Sequence, residues 1–385
     1  MVHYRRHEIG ALKNKAGLKE NPGRKSRRQV YLISVPVLRA AAALALAACM
    51  GFLVVGCARA PRSDPATGFS GRAPQAKLRV AATIYPLAEF SRRVGGARVE
   101  VTQLLPPGAE PHHWEPSPKD MIRLYQAQIV VFNGAGLEPW AVRVIPALRA
   151  RGIRVVEAAQ GLDLLTFAEE ERLGVIVYPG GFPAPGGLPG HEAHQRGGRE
   201  GEEAGHAVHS EGVDPHVWLD PLLAREIVSK LAGEFGTADP AGAAGYEERA
   251  RLLRERLERL HQEYAAAARS FRSRDLVVSH AAFGYLARRY GLRQVPVLGL
   301  TPEQEPDAAT LRRVADFCRE RGVRYIFFES LVSPRVAETV AREVGAETLL
   351  LTPVAGLTPE EARSGLDYFA LMSRNLANLK KALGG

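Results

Sequence analysis

Cysteine is scarce in this chain of 385 residues, which holds three. Cys49 and Cys57 lie in or directly after an N-terminal apolar segment, so Cys318 alone remains in the body of the chain. With a single cysteine in the body of the chain, no internal disulfide is expected. Stability must therefore come from hydrophobic cores, and the body of the chain is long enough for two.

The body of the chain also lacks an excess of basic charge. The whole sequence carries a net charge of +9, which by itself would suggest a nucleic-acid partner. Residues 1–56 contain ten Lys or Arg and two Glu, which leaves 41 basic and 40 acidic residues in the remainder. We therefore expect no nucleic-acid partner.

No apolar run is long enough to predict an ordinary membrane span. The apolar run at 40–55 is short and follows a basic segment, which is typical of a signal peptide, here predicted over 1–56. Its end, Val-Val-Gly-Cys57, resembles a bacterial lipobox, whose cysteine becomes lipidated. Leu-Ala-Ala-Cys49 also fits, but cleavage there would leave an apolar segment on the mature chain, so Cys57 is preferred.

A plain transmembrane anchor is the alternative to a lipoprotein leader. The basic segment is unusually long, which leaves the true start codon open. Residues 57–76, rich in Ala and Pro, are predicted to be a flexible tether.

Strand-like apolar runs alternate with helix-like amphipathic runs over 77–242 and again over 273–385. This alternation predicts an α/β fold of two lobes, each with a mostly parallel sheet flanked by helices. Residues 243–272 lie between them and predict one long connecting helix of about 45 Å; a solvent-facing helix within one domain is the alternative. Other helices are predicted at about 86–95, 118–126, 138–150, 221–235, 282–291, 307–321, 333–344 and 363–383.

Large apolar side chains are nearly absent from residues 179–212. The segment begins with five Gly and four Pro within 179–190, followed by four histidines. Such a composition predicts a disordered loop within the first lobe. The segment His-Glu-Ala-His has one residue between Glu and the second His, whereas the zincin motif, His-Glu-x-x-His, has two, so the segment does not match that motif. The histidines predict either an auxiliary metal-scavenging loop or a solvated linker: His191, His194, His206 and His209.

Four side chains placed after predicted strands or in Pro-rich loops are candidate metal ligands: His112, His216, His280 and Glu329. Three imidazoles and one carboxylate suit a tetrahedral Zn²⁺ ion. Four protein ligands leave no position for a reacting water, which favours carrying the metal over catalysis. A zinc hydrolase would need an open position and a general base.

The segments around these residues resemble the cluster A-I solute-binding lipoproteins of bacterial ABC transporters, in particular their zinc-uptake members. The markers are Pro-His112, Asn133-Gly-Ala-Gly-Leu-Glu-Pro-Trp140, Asp214-Pro-His216-Val-Trp-Leu-Asp-Pro221, Ser-His280, Gly299-Leu-Thr-Pro-Glu-Gln-Glu-Pro306 and Phe-Phe-Glu329. The resemblance covers about 77–384. It implies that the four ligands hold Zn²⁺ in the cleft between the lobes.

The resemblance further implies a monomer outside the cytoplasm, anchored to the cell membrane by lipid or periplasmic, that delivers zinc to an ABC permease. Manganese-binding relatives commonly place a carboxylate at the third ligand position, where this chain has His280, so zinc is favoured. A manganese-binding member and a surface adhesin are the alternatives.

Other polar and aromatic residues near the candidate ligands are expected to orient the ligands, cap a helix or pack around the site. We expect His113 to face solvent or lie outside the ligand set, and Asp220 to cap a helix. Glu115 and Asp214 are candidates to orient imidazoles. Trp114 and Trp218 are expected to pack the walls of the cleft.

Overall fold

Four parallel strands form the sheet of the N-terminal half, in the order β2-β1-β3-β4. They are β1 (Leu78–Ala82), β2 (Val99–Gln103), β3 (Ile129–Phe132) and β4 (Arg154–Glu157). Every residue of β3 is buried, because this central strand is covered on both faces. Burial on both faces explains why its sequence is continuously apolar and does not alternate. The computed structural model describes residues 76–177, 212–299, 301–302, 304 and 306–384. All of them belong to one compact structural unit, Arg72–Gly385.

The C-terminal half contains two pairs of parallel strands. β5 (Asp275–His280) pairs with β6 (Arg293–Gly299), and β7 (Tyr325–Phe328) pairs with β8 (Glu347–Leu350). The two pairs lie side by side, since the hydroxyl of Ser279 donates to the carbonyl of Phe327 at 3.4 Å. His280 is therefore the last residue of one strand, next to the end of its neighbour.

Helices flank the strands of both halves, as the alternating pattern predicts. They are α1 (Tyr85–Gly95), α2 (Pro118–Gln126), α3 (Ala141–Ala150), α4 (Phe167–Arg172), α5 (Pro221–Ala238), α6 (Ala243–Arg269), α7 (Gly284–Tyr290), α8 (Ala308–Arg321), α9 (Arg335–Val344), α10 (Pro359–Ser364) and α11 (Tyr368–Leu383). The predicted helix at 363–383 is two helices. Gly365 ends the first with φ of 69°, and Asp367 caps the second by accepting from the backbone N–H of Ala370 at 2.7 Å.

The long helix α6 joins the two α/β halves, as predicted. Its 27 residues span about 40 Å. One stripe is buried, including Leu253, Leu257, Leu260 and Tyr264, while Arg and Glu fill much of the opposite face. The helix ends at Arg269, three residues before the predicted boundary.

The halves do not have wholly separate cores. The largest buried cluster runs without interruption from β1 and α1 through α5 and α6 to α7 and α11. Cys318 belongs to a smaller cluster under α8 and α9. Although the chain is long enough for two separate cores, α6 contributes the same apolar stripe to both halves.

Several predictions lie outside the described residues: the leader over 1–56, the lipidation sites Cys49 and Cys57, and the loop histidines His191, His194, His206 and His209. No helix among the residues that the structure describes combines the length and apolarity needed to cross a membrane.

Candidate metal centre

His216 follows Asp214 and Pro215 in a tight segment that leads into α5. The side chain of Asp214 accepts from the backbone N–H of His216 at 2.9 Å and lies 2.7 Å from its Nδ1. Both side chains are almost completely buried. Because an ionised carboxylate only accepts, Nδ1 carries the proton and Nε2 keeps its lone pair. The predicted orienting role of Asp214 is confirmed by this contact.

The His216 segment is held by the C-terminal half of the chain. The indole Nε1 of Trp218 donates to the carbonyl of Pro353 at 2.7 Å, and the hydroxyl of Tyr285 donates to the carbonyl of Asp214 at 2.8 Å. The ring of Trp218 also lies edge-on to His216, with centroids 5.4 Å apart. Trp218 therefore packs against the candidate ligand, as expected from the sequence.

His280 shows the same pairing of an imidazole with a carboxylate. Glu329 Oε1 lies 2.6 Å from Nδ1 of His280 and accepts from its backbone N–H at 3.2 Å. Both residues are buried, and Glu329 follows β7, the neighbour of the strand that ends in His280. This contact fixes the proton of His280 on Nδ1.

His112 lies on the loop between β2 and α2, with 12% of its side chain exposed. Glu110 Oε2 accepts from the backbone N–H groups of His112 and His113 at 2.8 and 3.3 Å. Burial first, and then the neighbouring imidazoles of His216 and His280, hold the pKa of His112 well below its ordinary value. The imidazole is therefore neutral at neutral pH, which is the form that binds a metal.

The three imidazoles converge. His112 Nε2 and His216 Nε2 are 3.2 Å apart, and the ring centroids of the three pairs lie 5.2, 5.5 and 5.4 Å apart. In the part of the chain that the structure describes, His112, His216 and His280 form a group whose ligand atoms all lie within 4.8 Å of one another. Glu329 is outside this group, on the Nδ1 side of His280, and its coordination of a metal stays a prediction.

Two other carboxylates near the ligands, Asp220 and Glu115, have different environments. Asp220 caps α5 by accepting from the backbone N–H of Leu222 at 2.9 Å, as expected, and also pairs with Arg289. The orienting role of Glu115 is wrong: its carboxylate pairs with Arg143 at 3.1 Å, and both side chains are about 70% exposed. Nothing in the local sequence separates this surface pair from a carboxylate that faces the cleft.

His113 and Trp114 also have definite positions. His113 is exposed, which agrees with the expectation that it faces solvent. Trp114 packs edge-on against Trp140, with centroids 5.8 Å apart. The loop that carries His112 is therefore anchored on the N-terminal half by an aromatic pair.

A buried network supports His216 from the N-terminal sheet. Asn133, directly after β3, donates from its side chain to the carbonyl of Pro215 at 2.9 Å. Glu138 Oε1 accepts from the hydroxyl of Thr83 at 2.5 Å and from the backbone N–H of Asn133 at 2.9 Å. The motif that begins at Asn133 thus fixes the backbone immediately before His216.

Glu138 should make stability depend on pH. Burial outweighs its hydrogen bonds and raises its pKa from 4.5 to about 7. The folded state therefore holds the proton more tightly than the unfolded chain, so this contribution is greatest below pH 4.5 and is lost as the pH rises to about 7. The loss is about 3 kcal/mol. Urea denaturation across this range, compared with Glu138→Gln, measures it, because the variant cannot titrate; parallel pH profiles would contradict the assignment.

Comparison with known proteins places the chain in a family. Residues 80–382 match the family described as "ZnuA: Zinc-uptake complex component A periplasmic". The chain is 34% identical, over 88% of its length and 96% of the relative's, to the high-affinity zinc uptake system protein ZnuA of Bacillus subtilis.

Two solved structures illustrate the structural similarity. The Zn(II)-bound ZnuA-like domain of Streptococcus pneumoniae AdcA is 29% identical, with 80% of this chain and 100% of that domain covered and a TM-score of 0.63. The laminin-binding protein of Streptococcus agalactiae, described as a bifunctional protein with adhesin and metal-transporting activity, is 28% identical, with 79% and 99% covered and a TM-score of 0.63. Since the family match spans most of the described residues, the chain belongs to the ZnuA family of periplasmic zinc-uptake components.

Proposed function

We propose that this protein captures Zn²⁺ outside the cytoplasm and delivers it to an ABC permease, with His112, His216 and His280 as ligands. The observation that carries the proposal is the convergence of three imidazoles whose ligand atoms all lie within 4.8 Å of one another. Carboxylates on Nδ1 of His216 and His280 leave Nε2 of each as the electron-pair donor. Zinc is the cargo in this account, and no catalytic role is proposed.

The ligand chemistry favours zinc over manganese. Imidazole nitrogen suits Zn²⁺, whereas Mn²⁺ prefers sites richer in oxygen. The buried carboxylates of Asp214 and Glu329 supply negative charge next to the ion without both having to contact it. The relative from Bacillus subtilis is named for zinc uptake, which supports the same metal.

The proposed fourth ligand, Glu329, has a specific test. A Glu329→Gln variant keeps an oxygen that can accept from Nδ1 of His280 but loses the negative charge. If Glu329 only orients His280, zinc affinity should fall by about tenfold. If Glu329 binds the ion, the loss should be much greater and the visible spectrum of the Co²⁺-substituted protein should change. Competition with a chromophoric chelator measures the first effect, with Glu115→Gln as a surface control.

Zinc should also stabilise the folded protein. The three histidines come from segments far apart in the chain, so the site exists only when the chain is folded. A thousandfold excess of zinc over its dissociation constant should add about 4 kcal/mol to the free energy of unfolding. Thermal melts with zinc and with chelator test this, and acid should remove the difference as the imidazoles protonate. Coincident melts at neutral pH would count against the proposal.

The mature protein is proposed to be a monomer tethered to the membrane through lipid on Cys57. Four loop histidines are proposed to bind additional zinc weakly and so raise the concentration of zinc near the main site: His191, His194, His206 and His209. Metabolic labelling with a fatty acid tests the anchor. Loss of label in Cys57→Ser, with label retained in Cys49→Ser, is the expected result.

A surface-adhesin role is a second candidate, favoured by the similarity to the laminin-binding protein of Streptococcus agalactiae. Binding of the mature protein to immobilised laminin, with zinc and with chelator, tests it. Saturable binding would support an adhesin role in addition to zinc capture, and its absence would reject that role.

A further inference from the structure

A buried pair of carboxyl groups lies directly behind His216. Glu170, on the short helix α4, is completely buried, as is Asp214. Asp214 Oδ1 is engaged by Nδ1 and the backbone N–H of His216. Glu170 Oε2 accepts from the side-chain amide of Gln294 at 2.9 Å. Each carboxyl group therefore has one oxygen occupied by a known donor.

The two remaining oxygens face each other. A Cβ atom on Gly284 would lie 1.8 Å from Glu170 Oε1 and 2.6 Å from Asp214 Oδ2, so both oxygens converge on the same small space. Among the described residues, no N–H group or hydroxyl donates to either of these buried oxygens. Two ionised carboxylates whose oxygens share one small buried space, with no cation between them, would repel each other strongly. The arrangement therefore requires a proton shared between the two carboxyl groups.

The surroundings place that proton on Glu170. Asp214 Oδ1 already accepts two hydrogen bonds from His216, whereas Glu170 accepts one from the neutral amide of Gln294. Burial first, and then the charge of Asp214, raise the pKa of Glu170, and the hydrogen bond from Gln294 and the charge of Arg288 lower it by less. Glu170 is thus a neutral carboxylic acid at neutral pH.

We propose that Glu170 is a positioning residue that donates a hydrogen bond from its carboxylic acid to Asp214 and thereby fixes the proton of His216 on Nδ1, leaving Nε2 for the metal. This inference rests on the proposed function, because it assigns His216 as a ligand. The chain of contacts runs from Gln294 through Glu170 and Asp214 to His216. It leaves one negative charge behind the imidazole, where a bound Zn²⁺ would be stabilised.

Two substitutions of Glu170 separate this role from simple packing. Glu170→Gln keeps a donor of nearly the same shape, so its zinc affinity should stay within about threefold of the wild type. Glu170→Ala removes the donor and should weaken zinc binding by about 10- to 100-fold, the range expected for a residue that supports a metal ligand. Glu171→Ala, an exposed neighbour on α4, is the matched control and should behave as wild type.

The tautomer of His216 gives a readout that packing alone would not change. In ¹⁵N NMR of the metal-free protein, Nδ1 should carry the proton in the wild type and in Glu170→Gln, whereas Glu170→Ala should show a mixture of tautomers. Equal zinc affinity and an unchanged tautomer in Glu170→Ala would overturn the inference. So would a Glu170→Gln variant that is as defective as Glu170→Ala.

Should Glu170→Ala fail to fold, ¹³C NMR of labelled glutamate carboxyl groups decides the matter. One protonated glutamate at pH 8.5, where Glu138 is ionised, supports the inference if it is absent in Glu170→Gln. A wild type with every glutamate ionised at that pH overturns it. Both NMR measurements use metal-free protein. A wild type that binds no zinc would therefore reject the proposed function while leaving the assignment of Glu170 to be judged by its own result.

Discussion

Replacing His112 with alanine should lower zinc affinity by about two to three orders of magnitude while leaving the fold nearly unchanged. Structural zinc sites bind with about 10–16 kcal/mol, which shared among four ligands gives about 2.5–4 kcal/mol for each, and each 1.4 kcal/mol is a factor of ten. His112 is the candidate ligand with measurable exposure, 12% of its side chain. Its removal should therefore perturb the core less than loss of the fully buried His216 or His280.

The neighbouring imidazole of His113 supplies the control. It carries the same chemical group one residue further on, but it is exposed. Competitive titration with a chelator should show His113→Ala within about twofold of the wild type, because a surface substitution of this kind is nearly neutral. Equal losses in the two variants, or no loss in His112→Ala, would show that the converging imidazoles are not the zinc site.

Replacing Gly284 with alanine should destabilise the protein by about 3 kcal/mol or more and also weaken zinc binding. The added methyl group would lie 1.8 Å from Glu170 Oε1, and both carboxyl groups would have to move. Displacing them overpacks a buried site and disturbs the hydrogen bond that Asp214 accepts from Nδ1 of His216. Urea denaturation of the metal-free protein measures the first effect, and chelator competition the second.

Gly233 is the matched control for this substitution. It lies inside α5, and a Cβ there would meet no atom within 4 Å. Gly233→Ala should therefore stabilise the protein by about 0.5–1 kcal/mol through helix propensity. A Gly284→Ala variant as stable as the wild type would mean that the carboxyl groups do not fill this space.

The sequence predicted the parts of the fold that rest on local patterns. Continuous apolar runs such as Ile129–Phe132 indicate strands buried on both faces, and the uninterrupted stripe of α6 indicates a long helix. The start of the C-terminal helix is predicted too early, because the amphipathic pattern continues across Gly365 although the backbone turns there. The shared core was also missed, since periodicity shows which face is buried and not what covers it.

The ligand residues of the candidate site are predictable from sequence motifs, whereas some of the residues that support them are not. The convergence of His112, His216 and His280 agrees with the family resemblance, whose motifs mark all three. Glu170 was not anticipated, because it lies in an unremarkable acidic stretch of α4 and becomes significant only when the fold brings Asp214 against it. The position of Glu329 on Nδ1 of His280 likewise depends on the spacing of β5 and β7, which no local pattern specifies.

The central claim is that three converging imidazoles select zinc as the cargo of this protein. The most direct measurement is the metal content of the purified mature protein, with the loop histidines replaced by alanine, after growth in medium that contains both zinc and manganese. We expect about one equivalent of zinc and almost no manganese in the wild-type site, falling to little of either in His112→Ala. One equivalent of manganese without zinc would contradict the account.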